Sequence, residues 1–530
     1  MDALTSTTGI TICAVLAVIF IALGAMLAER LPTISAAVHA DPVRRIVRNS
    51  AIPIVSQLLI RALDLLVAIF LLRLLGPEGN GQYALAVIVW LYAKTISDFG
   101  LGLLTTREIA RDRTSMARMI GMTTLFRWLV LAVILLPILG YVALGAWHGS
   151  LSRTSVLAIG LLYLSIVPAS LSEAVNSAFN GIERMDVAAW LNIAVSLARA
   201  PLVLALAATR LDVVGVALAA VISSTISAAL FTRALRRSER IVPVWSMRLA
   251  DLRWLAGTSW PLLVNALLVS LFFRFDVFIV QAFRGDEALG IYDAAYKLIN
   301  LVTIVPAYIT LALFPTLAQR ASDQQSLAGA LRIAAYVLVW IAWGIVALIS
   351  AGADTAIRIL AGGDYLPEAA HLLRILIWFA PLSFLNGLVQ YVLVASDRQR
   401  RLVPVFVAAV VFNLAFNLAL VPAFGARAAA IATVLSELVI FAAIAAVTAR
   451  TDAPVITRTL LARLVRPTLA GIVAALTALA LSVRWNELVA LPCALLVFAA
   501  ASLAFGVVGA DERTLIRRAL RRHTTSPIDA

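Results

Sequence analysis

Residues 49–83 read NSAIPIVSQLLIRALDLLVAIFLLRLLGPEGNGQY, and residues 257–292 read GTSWPLLVNALLVSLFFRFDVFIVQAFRGDEALGIY. Each stretch carries a proline, an amide side chain four residues later, and a Gly-x-Tyr string at its end. A further pair of similar strings, GVALAAVIS from Gly215 and GARAAAIAT from Gly425, lies at the far end of each half. Long repeats in a hydrophobic chain are typical of transporters whose two pseudo-symmetric halves open a central site alternately to each side.

The composition predicts a polytopic helical membrane protein. The chain is 62% hydrophobic with a mean hydropathy of +0.97, and only 14% of its residues are charged; soluble domains have about one quarter. Its apolar runs of about twenty residues are each long enough to cross the hydrocarbon core of a bilayer. We expect about fifteen spans, near residues 10–28, 50–75, 81–104, 120–145, 156–179, 187–208, 213–232, 258–282, 288–317, 331–351, 372–395, 402–421, 428–449, 467–483 and 488–508.

The net charge of +14 invites a nucleic-acid interpretation, but the placement of the charges favours another. With alternate loops on opposite sides, about 29 of the 43 lysines and arginines fall on one side and about seven on the other, as the positive-inside rule requires. We therefore expect a multi-pass protein of the bacterial inner membrane with cytoplasmic basic loops and C-terminus. Membrane lipids are expected partners, and nucleic acid is not.

The repeats predict an all-α protein with two pseudo-symmetric six-helix bundles, two C-terminal helices and one extra N-terminal helix. Trp245 and Trp254 in the basic linker suit a helix that lies at the membrane interface. The longest outside loop is expected near 352–371. The predicted segments are the N-terminal helix and its linker at 1–43, the first bundle at 44–232, the basic cytosolic linker at 233–257, the second bundle at 258–449, the C-terminal helices at 450–508 and the basic tail at 509–530.

Four short motifs carry a family resemblance. They are RLLGPEGNGQY from Arg73, DFGLG from Asp98, TREIAR from Thr106 and ILAGGDY from Ile359. Together they resemble the polysaccharide-biosynthesis flippases, the O-antigen-type exporters of the multidrug/oligosaccharidyl-lipid/polysaccharide superfamily, over about residues 44–450. The resemblance implies a protein that moves a polyprenyl-pyrophosphate-linked oligosaccharide from the inner to the outer leaflet. It also implies contact with polysaccharide polymerase or glycosyltransferase machinery. The N-terminal helix departs from the usual plan of that family.

Charged and amide side chains within the spans are candidate substrate ligands, because a charge in the bilayer normally faces the bundle interior or a wet cavity. Gln57, Arg61 and Asp64 share one face of the first core span, and Asn265 and Asp276 share a face of the seventh. Arginine binds phosphate through two parallel hydrogen bonds. This favours a cationic site for pyrophosphate; the alternative is that Arg61 pairs with Asp64, and Arg274 with a nearby carboxylate, as structural ion pairs. The three candidate arginines are Arg61, Arg199 and Arg274.

Lysines and isolated acids form a second group of candidates. Only two of the 43 basic residues are lysines, and each has an aspartate four residues away: Lys94 with Asp98, and Lys297 with Asp293. Such pairs could bind phosphate or gate ion coupling, or they could be neutralised pairs within one helix. Two lone acids could couple transport to protons or sodium, or could be hydrogen-bonded carboxyls that face a neighbouring helix. These two acids are Glu173 and Glu437.

The residues are compatible with three classes of function. The first is a flippase for lipid-linked oligosaccharide, and a lipid II flippase would share its cationic cavity. The second is a cation-coupled multidrug antiporter of the same superfamily, for which an acidic, aromatic-lined cavity is expected. The third is a polytopic glycosyltransferase or polymerase, which the short outside loops disfavour. No cofactor, metal site or enzymatic activity is predicted, because no phosphate-binding loop, nucleophile motif or Cys/His set occurs.

Overall fold

The structure, a computed structural model, describes residues 42–209, 211–306, 309, 324–396, 398–449, 456–484 and 487–507. The predicted span at 10–28 and the basic tail at 509–530 lie outside the described residues. The helices are α1 Pro42–Asp98, α2 Leu101–Arg111, α3 Met116–Trp147, α4 Arg153–Gly181, α5 Met185–Ala207, α6 Asp212–Ser238, α7 Leu249–Arg274, α8 Asp276–Val302, α9 Gln324–Leu360, α10 Glu368–Leu376, α11 Ala380–Ala395, α12 Leu402–Phe424, α13 Ala426–Ala449, α14 Arg458–Arg484 and α15 Glu487–Ala504.

Apolar helices dominate the described part of the chain, as the composition predicts. Ten of them are long and apolar enough to cross a membrane. Helices suit a bilayer because they satisfy every backbone hydrogen bond within one segment. The all-α polytopic fold is therefore confirmed, whereas the count of about fifteen spans stays a prediction.

The two copies of the repeat have the same backbone break. Gly76 within α1 has φ 65° and ψ −178°, and Gly285 within α8 has φ 82° and ψ −177°. A positive φ is a conformation that only glycine adopts without strain. A further stretch of helix starts after each break, and the segments from the glycine to the tyrosine are here called the first and second repeat turns (residues 76–83 and 285–292).

The two repeat turns contact each other. A Cβ atom on Gly81 would lie 1.7 Å from the carbonyl oxygen of Asp286, and one on Gly290 would lie 1.7 Å from the carbonyl oxygen of Pro77. The buried Asn80 Nδ2 donates a 2.9 Å hydrogen bond to the Gly290 carbonyl oxygen. The glycines of the Gly-x-Tyr strings are thus required by a close and reciprocal backbone contact.

The described chain forms two compact units. One runs up to Asp293 and includes Leu360–Asp364, and the other comprises Ala294–Ile359 and the residues from Tyr365 onward. In the first unit α4 packs along α6, and α1 packs along α5. Gly215 of α6 permits a close approach, since a Cβ there would lie 2.2 Å from the Leu206 carbonyl oxygen. Its repeat counterpart Gly425 has φ 63° and follows the end of α12 instead.

The linker between the predicted bundles differs from expectation. Residues 239–248 are not helical; α6 ends at Ser238 and α7 begins at Leu249. The linker lies against α3, where the Val244 amide donates to the Ala117 carbonyl at 2.9 Å and Trp245 stacks on Trp128 at a centroid distance of 5.4 Å. The expected helix is therefore absent at Trp245, because residues 239–248 are not helical, whereas Trp254 lies near the start of α7.

Two further expectations about helix ends were wrong. The predicted span at 81–104 is interrupted, since Phe99 and Gly100 both have positive φ between α1 and α2. The predicted loop at 352–371 is largely helical: α9 continues past an irregular Gly352 to Leu360. In the second unit the Glu487 carboxylate accepts hydrogen bonds from the amides of Asp354 (2.9 Å) and Thr355 (2.7 Å), which caps the restarted helix.

Candidate functional site

The polar face of the first core span, on α1, is exposed and makes an ion pair with another helix. Gln57, Arg61 and Asp64 are all exposed on α1. Asp64 pairs with Arg199 of α5, so the predicted local pair between Arg61 and Asp64 is wrong. Arg61 makes no ion pair within the described part of the chain. Two helices thus share one ion pair, and a further arginine lies one turn away along α1.

A second ion pair joins α7 to α8. Arg274 Nη2 lies 2.8 Å from Asp293 Oδ1, and the two side chains are only 16% and 6% exposed. The structural pairing of Arg274 with a nearby carboxylate is therefore present. Burial of a charge is costly unless it is paired, so this contact satisfies both groups.

The expected shared face of Asn265 and Asp276 is not found. Asn265 is exposed on α7, as is its repeat counterpart Gln57 on α1. Asp276 is buried at the start of α8, where its carboxylate accepts from the Tyr292 hydroxyl and the Val277 amide. The reason is that α7 ends at Arg274, so helical periodicity does not extend to Asp276.

One tyrosine brings the two ion pairs together. Tyr83, at the end of the first repeat turn, lies within electrostatic reach of Asp64, Arg199 and Asp293. Tyr92, about two and a half turns further along α1, lies within reach of Arg274 and Asp276. We define the charged cluster as these two ion pairs together with the arginine one turn from Asp64 on α1. Its five side chains are Arg61, Asp64, Arg199, Arg274 and Asp293.

Lys94 differs from its predicted local pair, whereas the pair of Lys297 with Asp293 stays a prediction. Lys94 Nζ lies 2.6 Å from Glu173 Oε1 of α4 and 5.2 Å from the centre of the Trp90 ring. The Lys94–Asp98 pair is thus wrong, and Glu173 is not a lone acid. Lys297 is half-buried on α8.

Asp98 has a partner that the sequence analysis missed. Arg127 of α3 is 1% exposed, and its Nε and Nη2 donate to Asp98 Oδ1 at 3.2 and 2.7 Å. An arginine in the middle of an otherwise apolar run was the available signal. Because this pair lies between helices of one bundle, the geometry favours a structural role for Asp98.

Glu437, a candidate in the second unit, makes a polar contact with another helix of that unit. Glu437 of α13 is 3% exposed and accepts a 2.8 Å hydrogen bond from Asn386 Nδ2 of α11. The same amide nitrogen also donates to the Glu437 carbonyl oxygen at 2.9 Å. Glu437 is therefore a hydrogen-bonded carboxyl that faces a neighbouring helix, one of the two alternatives that the sequence left open.

Comparison with known proteins places these features in a family. Residues 46–321, more than half of the chain, match the family model for polysaccharide biosynthesis proteins. The chain belongs to the polysaccharide biosynthesis protein family. Residues 261–419 of this family member also match the MatE model. A putative O-antigen transporter of Shigella dysenteriae is 23% identical over 374 residues, which cover 69% of this chain and 91% of that relative.

Solved structures show the same fold. A lipid II flippase MurJ in an inward closed conformation superposes with a TM-score of 0.64 at 13% identity, covering 88% of this chain and 100% of the other. An inward-facing multidrug resistance MATE family transporter of the MOP superfamily gives 0.59 at 17% identity, covering 75% and 96%. The family member described here is thus a multi-pass membrane protein with the fold of these two proteins, and the relatives named here are transporters and flippases rather than enzymes.

Proposed function

We propose that the protein moves a polyprenyl-pyrophosphate-linked oligosaccharide from the inner to the outer leaflet by alternating access, for cell-surface polysaccharide assembly. In this proposal it works in the bacterial inner membrane with its basic loops in the cytoplasm. Polysaccharide polymerase or glycosyltransferase machinery would supply or consume the substrate. The observation that carries the proposal is the charged cluster, in which the ion pairs Asp64–Arg199 and Arg274–Asp293 both have a member within electrostatic reach of Tyr83.

The arginines suit a pyrophosphate ligand in two ways. Arg61 is exposed and has no carboxylate partner among the described residues, so its guanidinium is available to an anion. Arg199 makes its ion pair through Nη2 alone, and its side chain is 42% exposed. A guanidinium has five N–H donors, so Arg199 retains donors for a phosphate oxygen.

The paired carboxylates suit release of the ligand. A pyrophosphate that binds Arg199 or Arg274 competes with Asp64 or Asp293 for the same donors. When the ligand leaves, the carboxylate neutralises the arginine again, which lowers the cost of an empty cationic site in a low dielectric. Exchange of partners would therefore keep binding from becoming too tight for transport.

A cation-coupled multidrug antiporter is the second candidate, favoured by the MatE match over residues 261–419. Such a protein would bind organic cations, for which free carboxylates are expected. In the first unit Asp64 and Asp293 are each paired with an arginine, and Asp276 accepts a tyrosine hydroxyl. These contacts disfavour an acidic site at the charged cluster. A lipid II flippase would use the same cationic chemistry, and it differs from the proposed flippase only in the substrate that it moves.

The test is a flipping assay in proteoliposomes. A fluorescent polyprenyl-pyrophosphate oligosaccharide is incorporated, and a membrane-impermeant quencher reports which leaflet carries the label. Arg61→Ala and Arg274→Ala are compared with Arg111→Ala, an exposed arginine on the amphipathic α2. Loss of a charge-assisted hydrogen bond should lower the flipping rate by about 10- to 100-fold in the first two variants only.

Three outcomes would contradict parts of this proposal. Flipping that survives both substitutions would leave the function but remove these arginines from the binding site. Faster flipping of lipid II than of other lipid-linked sugars would change the substrate. Absence of flipping, together with proton- or sodium-driven movement of an organic cation, would establish the antiporter.

A further inference from the structure

The repeat places two tyrosines in equivalent positions. Tyr83 follows the Gly76 break by seven residues, and Tyr292 follows the Gly285 break by seven residues. Because the two breaks have the same backbone conformation, each tyrosine lies at the same position, about two turns into the helix that follows its break. Equivalent positions allow the surroundings of the two hydroxyl groups to be compared directly.

Tyr292 has a structural role within the first unit. Its side chain is 1% exposed, and its hydroxyl donates to the buried carboxylate of Asp276. A buried carboxylate needs donors to offset the loss of hydration, and this phenol supplies one of them. The Tyr292 hydroxyl is therefore engaged in a contact that holds the start of α8.

The ring of Tyr83 is held by packing, as that of Tyr292 is. It contacts apolar clusters that include Val203 of α5 and Val213 and Val216 of α6. The residue is half-buried, so packing fixes the ring while part of the side chain stays accessible. A fixed ring presents its hydroxyl at a defined position, which lowers the entropy lost when a ligand binds.

The hydroxyl of Tyr83 has a different environment. It makes no hydrogen bond to any residue that the structure describes. It lies among Asp64, Arg199 and Asp293, where the first two side chains are 50% and 42% exposed. A tyrosine hydroxyl at a largely apolar position usually finds a partner, so an unused one beside the half-exposed Asp64–Arg199 ion pair indicates a ligand contact.

We infer that Tyr83 is a substrate-binding residue whose hydroxyl donates a hydrogen bond to the pyrophosphate of the lipid-linked substrate. This inference rests on the proposed function. It adds an uncharged residue that a search for lysines, arginines and acids within the spans does not find. Arg199 would bind the same phosphate group from α5, and Asp64 would be displaced from it. Of the two equivalent tyrosines, Tyr292 thus stabilises the fold and Tyr83 binds the ligand.

The experiment compares Tyr83→Phe with Tyr292→Phe in the full-length protein. Each substitution removes one oxygen atom and keeps the ring. Tyr83→Phe should leave the thermal melting temperature in detergent unchanged, because no hydrogen bond within the described protein is lost. It should reduce the affinity for a fluorescent polyprenyl-pyrophosphate oligosaccharide, and the flipping rate at low substrate, by about tenfold. Tyr292→Phe should lower the melting temperature, because the buried Asp276 carboxylate loses one of its donors.

Several results would overturn the inference. Wild-type affinity and flipping in Tyr83→Phe would remove the hydroxyl from the substrate. A fall in melting temperature equal to that of Tyr292→Phe would assign Tyr83 a structural role instead. Failure of the proposed function gives a separate result: the wild-type protein itself neither binds nor flips lipid-linked oligosaccharides, and the inference then fails with it.

Discussion

Gly290→Ala should destabilise the protein through a contact between the repeat turns. An added Cβ would lie 1.7 Å from the Pro77 carbonyl oxygen and 2.8 Å from the Gly81 amide nitrogen. Carbon and oxygen atoms approach to about 3.3 Å, so the turns must separate by about 1.6 Å. The 2.9 Å hydrogen bond from the buried Asn80 side chain to the Gly290 carbonyl would then break.

The magnitude follows from three contributions. Overpacking costs about 1–3 kcal/mol, and a buried hydrogen bond left unmade costs about 1–3 kcal/mol. The better helix propensity of alanine offsets about 1 kcal/mol. We therefore expect a net loss of about 3 kcal/mol in the free energy of unfolding for Gly290→Ala.

Unfolding in mixed micelles with increasing denaturing detergent measures this change, and thermal melting provides a second readout. The matched control is Gly160→Ala in α4, where an added Cβ meets no atom within 4 Å. This control should be as stable as the wild-type protein or slightly more stable. The reasoning fails if Gly290→Ala unfolds with the wild-type free energy, or if both alanine variants lose the same amount.

Two further predictions concern buried polar pairs. Asp98→Ala leaves Arg127, which is 1% exposed, without its carboxylate and should lower the free energy of unfolding by about 3–5 kcal/mol. Adding Arg127→Met should restore much of this loss, as measured by unfolding in detergent. A double variant that is as unstable as Asp98→Ala alone would contradict a structural pair. Glu437→Gln retains an acceptor for Asn386 and should change the stability little, whereas Glu437→Ala should lower the free energy of unfolding by about 2–5 kcal/mol. Equal melting temperatures for the two variants would count against the hydrogen bond.

Much of the fold could be predicted because bilayer physics acts on local sequence. A membrane span needs about twenty apolar residues whatever its neighbours are, so hydropathy locates the helices. The repeat was visible because the close contact of Gly81 with Gly290 requires glycine at both positions. Helix ends were predicted less well: the break at Phe99 and the continuation of α9 past Gly352 depend on contacts with other helices.

The candidate site was predicted in part. The sequence by itself determined which charged residues lie within spans, because the cost of burying a charge makes each one conspicuous. Only the tertiary structure decided their partners. Asp64 pairs with Arg199 rather than Arg61, and Lys94 pairs with Glu173 rather than Asp98. Neighbours on one helix can be read from spacing, but the packing of helices far apart in the sequence determines which opposite charge comes nearest.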